Sequence, residues 1–175
     1  TIQTACAAGT YQPDTGQTYC DDASAGYYVD SIASTTQTVC AVGTFQANIG
    51  QTSCDVADAG HYVDSTASDT QTECPAGTYQ PDTGQTSCDD TDAGHYTDST
   101  AQPSQKDCPA GTYQPDTGQS SCTDASAGYY VDEPAQIAQS YCGFGTYQPD
   151  TGQTSCIAAS AGHYVLVTAQ TSQSE

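Results

Sequence analysis

The cysteines of this chain keep a strict spacing. They stand at 6, 20, 40, 54, 74, 88, 108, 122, 142 and 156, so the intervals alternate 14 and 20 and the period is 34, with no insertion. A finer period lies beneath it. Gly-x-Tyr or Gly-x-Phe begins at 9, 26, 43, 60, 77, 94, 111, 128, 145 and 162, so the start advances by half that period each time. Such self-similarity marks a repeat architecture, in which each copy packs on its neighbours rather than around one central core. Ankyrin and tetratricopeptide arrays share about this period. They need apolar helical periodicity, which is absent here, and stretches such as Gly77-Thr-Tyr-Gln-Pro-Asp-Thr-Gly84 break helices.

Two motif types alternate. The odd type is clearest at Cys74–Cys88, with Cys three residues before the Gly and eleven after it. The even type, as in Ala57-Asp-Ala-Gly-His-Tyr-Val-Asp-Ser-Thr-Ala67, has no cysteine. At the same two offsets it carries Ala23/Gln37, Ala57/Gln71, Thr91/Gln105, Ala125/Gln139 and Ala159/Gln173. The two cysteines appear and vanish together, as positions in contact do. Repeat symmetry leaves two local pairing schemes. Pairing within odd motifs (6–20, 40–54, 74–88, 108–122, 142–156) uses every cysteine, whereas pairing across even motifs leaves Cys6 and Cys156 over. The first scheme is favoured. Each loop of about 15 residues closed this way contributes ~3 kcal/mol in the chain-entropy picture.

Those bridges are needed. Val, Ile, Leu and Phe together number 16 of 175 residues, and the formal net charge is -20. That apolar share is well below the ~20% at which a charged chain is expected to stay disordered, so one ordinary hydrophobic core is excluded. Heavy cysteine usage without a core implies an oxidising, extracellular or cell-surface setting. Lys106 is the only Lys or Arg, which excludes nucleic acid and anionic membrane surfaces as partners. No apolar run approaches the ~20 residues of a spanning helix, so no membrane insertion is expected. Thr1 has no initiator Met and no signal-peptide core. The chain therefore reads as a processed or excised piece, part of a longer protein or fibre.

Pro-Asp-Thr-Gly is a turn: Pro presets φ, Asp bonds nearby backbone, and Gly takes a left-handed conformation. The flanking Gly-Thr-Tyr-Gln and Gln-Thr-Ser-Cys suit short strands, so the odd motif is expected to be a hairpin closed by its disulfide. The even turn, as in Gly60-His-Tyr-Val-Asp-Ser-Thr-Ala67, lacks the Pro-Asp-Thr-Gly signal and is expected to be looser. The predicted fold is small, disulfide-rich and mostly β. It is a tandem array of short β-hairpins, 17-residue units in 34-residue repeats, forming an extended rod or solenoid-like filament. The repeats run 1–34, 35–68, 69–102, 103–136 and 137–175.

The odd motifs, with Cys-x-x-Gly-x-Tyr followed by a turn and Cys, resemble the cysteine-rich repeats of ephrin receptors. They are also similar to the single-disulfide hairpin of tumour-necrosis-factor-receptor ectodomains and, loosely, to EGF-like modules. The resemblance covers Cys6–Cys20, Cys40–Cys54, Cys74–Cys88, Cys108–Cys122 and Cys142–Cys156. It implies that these two cysteines pair, in agreement with the favoured scheme. The even motifs depart from it, lacking the extra cysteines such repeats carry.

Candidate sites are few. His61, His95 and His163 share one offset with Tyr27 and Tyr129, which reads as a half-exposed aromatic position rather than a metal ligand. Asp55, Asp58, Asp89, Asp90 and Asp92 are candidate calcium ligands, but a solvated acidic face is the preferred reading and no cofactor is required. Ser and Thr total 44 of the chain. O-glycans are expected on such composition, with Thr15, Thr36, Thr83, Thr117 and Thr151 as acceptors. No nucleophile elbow, phosphate loop or free thiol suggests catalysis, so the chain is not expected to be an enzyme.

The period is uniform, with no copy that breaks it strongly. This points to an extracellular structural protein, a subunit of a glycosylated surface filament whose partners are copies of itself, head-to-tail or bundled. Val165, Leu166 and Val167 form the one notable apolar run and are the assembly candidates. The alternative is the stalk or ligand-binding ectodomain of a surface receptor or adhesin.

Overall fold

The computed structural model describes residues 4–175. The first motif builds a hairpin from β1 (Thr10–Tyr11) and β2 (Asp21–Asp22), antiparallel with Thr10 opposite Asp22. The second does the same with β3 (Tyr27–Tyr28) and β4 (Thr38–Val39). The pattern continues to β17 (Thr146–Tyr147) and β18 (Ile157–Ala158). The described residues contain eighteen strands of two residues each, in nine two-stranded sheets, and no helix. The last motif closes with a single antiparallel bridge, Tyr164 to Ser174.

The first strand of each hairpin follows the recurring Gly, where Thr, Tyr and His favour extended backbone. The second strand lies just beyond the second cysteine, not over Gln-Thr-Ser-Cys as propensity predicted. The reason is a buried glutamine. Gln46 Nε2 donates to Ser53 C=O at 3.0 Å, and its Oε1 accepts from Asn48 N–H at 3.0 Å. Gln80, Gln114 and Gln148 repeat both bonds. Side-chain amides thus hold the loop backbone that a strand ladder would otherwise use.

The even turn is not looser. Ala33, Ala67, Ala101, Ala135 and Ala169 sit at φ 57–59°, in the place where odd motifs carry a left-handed Gly. Both turns dock alike: Ala67 N–H donates to Cys40 C=O at 3.0 Å, and Gly84 N–H to Ala57 C=O at 2.8 Å. An L-residue held left-handed costs roughly 1–2 kcal/mol, and that docking bond helps to hold it.

Four backbone hydrogen bonds join each motif to the next, and the set recurs nine times. At the second junction Gly26 N–H reaches Gln46 C=O (2.8 Å) and Val29 N–H reaches Gln51 C=O (2.9 Å). Gly50 N–H returns to Ala23 C=O (2.7 Å), and Cys40 N–H to Gly26 C=O (2.9 Å). The core is correspondingly thin, with three buried positions in each motif from the second to the eighth: the first-cysteine offset, the Gly, and the residue three after it. The first holds Cys40, Ala57, Cys74, Thr91, Cys108 and Ala125 in turn, all at 0% exposure. The third alternates Gln in odd motifs with Val or Thr in even ones. The Gly is obligatory because a Cβ on Gly43 would overlap the carbonyl of Gly84, two motifs on. Motifs of one type therefore meet at every second step, which makes the odd–even pair, not the single motif, the structural repeat.

Backbone contacts divide the chain into two compact units. One comprises Thr1–Cys74, Gln80–Cys88 and Ala101–Pro103; the other comprises Pro75–Tyr79, Asp89–Thr100 and Ser104–Glu175. Each has the same hairpin, ladder and thin core.

Candidate functional surface

The five disulfides link Cys6–Cys20, Cys40–Cys54, Cys74–Cys88, Cys108–Cys122 and Cys142–Cys156, so each lies within an odd motif. No cysteine among the described residues is free. The even motifs are closed differently. Gln71, at the second-cysteine offset, accepts the Asp58 N–H on Oε1 at 2.7 Å. Gln37, Gln105, Gln139 and Gln173 accept from Ser24, Asp92, Ser126 and Ser160 at 2.6–2.7 Å. Gln71 and Gln105 also donate Nε2 to the carboxylates of Asp58 and Asp92, at 2.7 and 2.6 Å. A hydrogen-bonded clamp thus stands where the disulfide stands in the odd motif. The paired exchange of Cys/Cys for Ala/Gln carried this signal; the role of the amide was not read from it.

The histidine offset is also patterned. Across the strand pairs His61 faces Glu73 and His95 faces Asp107, whereas Tyr27 faces Val39 and Tyr129 faces Tyr141. Histidine and tyrosine therefore do not exchange freely: a carboxylate accompanies the imidazole. His95 Nε2 lies 3.0 Å from Asp107 Oδ1, and its Nδ1 lies 3.1 Å from Ala93 C=O. Both neighbours are hydrogen-bond acceptors, so each ring nitrogen faces an oxygen.

The third repeat departs from the others. Thr91 and Thr97 replace Ala and Val and are fully buried. Thr97 Oγ1 accepts from Gly77 N–H (2.8 Å) and donates to Thr78 C=O (3.1 Å). Thr91 Oγ1 accepts from Gln119 N–H at 2.9 Å. Lys106 belongs to the same motif. Its Nζ donates to Asp98 Oδ1 at 2.7 Å and lies 5.9 Å from the Tyr96 ring centroid. This hydrogen bond holds the Asp98 carboxyl below its ordinary value and the Lys106 ammonium above its own.

The candidate calcium ligands are exposed. Asp58 and Asp92 are engaged by the glutamine clamps, Asp55 by Gln46 Nε2 at 3.3 Å, and Asp89 and Asp90 lie in a strand. Among the described residues no three His, Cys, Asp or Glu side chains gather where they could hold a metal ion. Thr15, Thr36, Thr83, Thr117 and Thr151 are all exposed. Val165 is buried in the column that also holds Val131, while Leu166 and Val167 are exposed. The three assembly candidates thus divide between core and surface.

The family model "Tyrosine-protein kinase ephrin type A/B receptor-like" matches residues 26–74 and again residues 60–108. Each match runs from the Gly of an even motif, through one disulfide hairpin, to the first Cys of a later odd motif. Residues 26–108 are thus similar to ephrin-receptor-like cysteine-rich repeats. The ephrin-receptor-like period coincides with the structural one, since the second match begins one odd–even pair after the first. No curated protein matches the chain. Among the described residues no helix is long and apolar enough to cross a membrane. The ephrin-receptor-like repeats and five disulfides mark a disulfide-rich domain of extracellular or cell-surface type.

Proposed function

We propose that this chain is a non-catalytic structural protein, a subunit of an extracellular filament built from copies of itself and carrying O-glycans. One observation carries the reading: the same four backbone hydrogen bonds recur at nine successive junctions. Cohesion of this kind lies in the backbone and is indifferent to the exposed side chains, so it can be extended by more motifs of the same kind. Heterologous contacts between identical subunits grow into open filaments where the rotation between them does not close. The exposure of Thr15, Thr83, Thr117 and Thr151 on equivalent turns supports a regular glycan coat, and a sugar coat would hydrate a fibre of high acidic charge. The receptor-like repeats favour the second reading, a stalk or ligand-contacting ectodomain. Electron microscopy of native material tests the first. Long fibres with a 34-residue structural repeat, and density extending from threonine, are the expected result. Discrete particles without lengthwise contact would overturn the filament reading in favour of the ectodomain.

A further inference from the structure

Four even motifs place a tyrosine two residues before an acid: Tyr28/Asp30, Tyr62/Asp64, Tyr96/Asp98 and Tyr130/Asp132. The remaining even motif has Leu166 after Tyr164, and the odd motifs carry Pro or Ala at the acid's offset. In all four the tyrosine is half-buried and the acid exposed. Opposite the tyrosine on the paired strand stand Thr38, Thr72, Lys106 and Ser140. Only the third of these is long enough to reach over its partner. Lys106 Nζ donates to Asp98 Oδ1 at 2.7 Å and lies 5.9 Å from the Tyr96 ring centroid. A primary ammonium there meets a carboxylate that accepts its N–H and an aromatic face that attracts its charge.

The other three motifs keep the tyrosine and the acid but have a short hydroxyl side chain where Lys106 stands. No Lys or Arg remains to serve them, since Lys106 is the only one in the chain. In the first of the three the space is visible. Tyr28 and Asp30 line a shallow pocket of about 400 Å³ with Val39, Ala41, Thr44 and Ser53. Asp30 Oδ1 accepts from Ser31 Oγ at 2.8 Å, and a carboxylate has acceptor capacity for further donors. Val39 and Ala41 offer apolar cover to an alkyl stem. An anion is disfavoured by Asp30 and by the formal charge of -20, which instead gathers cations around the chain. A metal ion lacks ligands, because no three His, Cys, Asp or Glu side chains gather among the described residues.

We infer that the Tyr28–Asp30, Tyr62–Asp64 and Tyr130–Asp132 pairs bind primary ammonium groups from outside the chain, as the Tyr96–Asp98 pair holds Lys106. The ligand class is an alkylammonium, carried by a free polyamine or by a lysine side chain. An exposed ion pair and an exposed cation–π contact each contribute little, so single sites bind at about millimolar strength or weaker and are sensitive to salt. Binding of this kind is independent of how copies of the chain associate.

Nuclear magnetic resonance of the oxidised full chain, labelled in its tyrosine rings, tests it. The probes are cadaverine, a free diamine, and acetyl-lysine amide, each titrated at constant ionic strength. The rings of Tyr28, Tyr62 and Tyr130 should shift saturably. Those of Tyr96, whose site is filled, and Tyr164, which has no acid beside it, should stay still. Lys106→Thr should add Tyr96 to the responding set. Asp30→Asn should weaken the Tyr28 response by about two- to fivefold and leave that of Tyr62 unchanged. The substituted side chains are exposed, and circular dichroism establishes that each variant is folded. A response to either probe supports the assignment; cadaverine alone restricts the sites to free amines, and acetyl-lysine amide alone to lysine side chains. Absence of saturable shifts, or equal shifts with sodium chloride, overturns the proposal. So does a wild-type Tyr96 that responds as strongly as Tyr28, or a Lys106→Thr variant whose Tyr96 stays silent.

Discussion

Ala67 shows how much conformational cost one residue can carry in a repeat fold. Its φ of 59° lies in the left-handed region, where an L-residue is strained and Gly is not. Ala67→Gly should therefore stabilise the protein, by about 0.5–1 kcal/mol after Gly's greater unfolded-state freedom is deducted, seen as a raised urea midpoint at unchanged slope. The Asp98–Lys106 pair sets a pH window. Asp98 is held below its ordinary 3.8, so its contribution is present above that value and lost as pH falls through the lowered one. Lys106 is held above 10.5, so its contribution is present below that value and lost as pH rises through the raised one. The stability difference between wild type and Lys106→Gln should then be flat through neutrality and shrink at both edges. Both groups are exposed, so high salt should shrink it too.

At the scale of the hairpin, disulfide and glutamine clamp are two closures of one geometry. Ala57→Cys with Gln71→Cys should convert an even motif to the odd type, form a sixth bridge on oxidation, and add up to ~3 kcal/mol; mass spectrometry and the urea midpoint check it. Gln71→Leu alone should cost about 0.5–1.5 kcal/mol by the same midpoint, because Asp58 N–H exchanges its acceptor for water. Much of this element was legible in sequence. Cysteine spacing, the Gly-x-Tyr start and the Pro-Asp-Thr-Gly turn announced a bridged hairpin. The position of the second strand was not legible. Propensity put it over Gln-Thr-Ser-Cys, while Gln46 and its equivalents take that backbone through side-chain bonds, which leave no hydrophobic period to read. The even turn was misjudged for a similar reason. Nothing local in Ser-Thr-Ala marks a left-handed Ala; its carbonyl partner is Cys40, far back along the chain in the preceding motif.

At the scale of the chain, stability is spread thinly along many equal junctions and five bridges. Five bridges at ~3 kcal/mol each match or exceed the roughly 5–15 kcal/mol by which domains are ordinarily stable. Full reduction at neutral pH should therefore abolish the folded circular-dichroism signal. The alternation of closures has a consequence for where a reductant can act. It finds a bond to cleave only in the odd motifs, Cys40–Cys54 and Cys74–Cys88 among them, whereas the Gln71 clamp between those two offers none. Redox chemistry therefore addresses every second motif of such a chain.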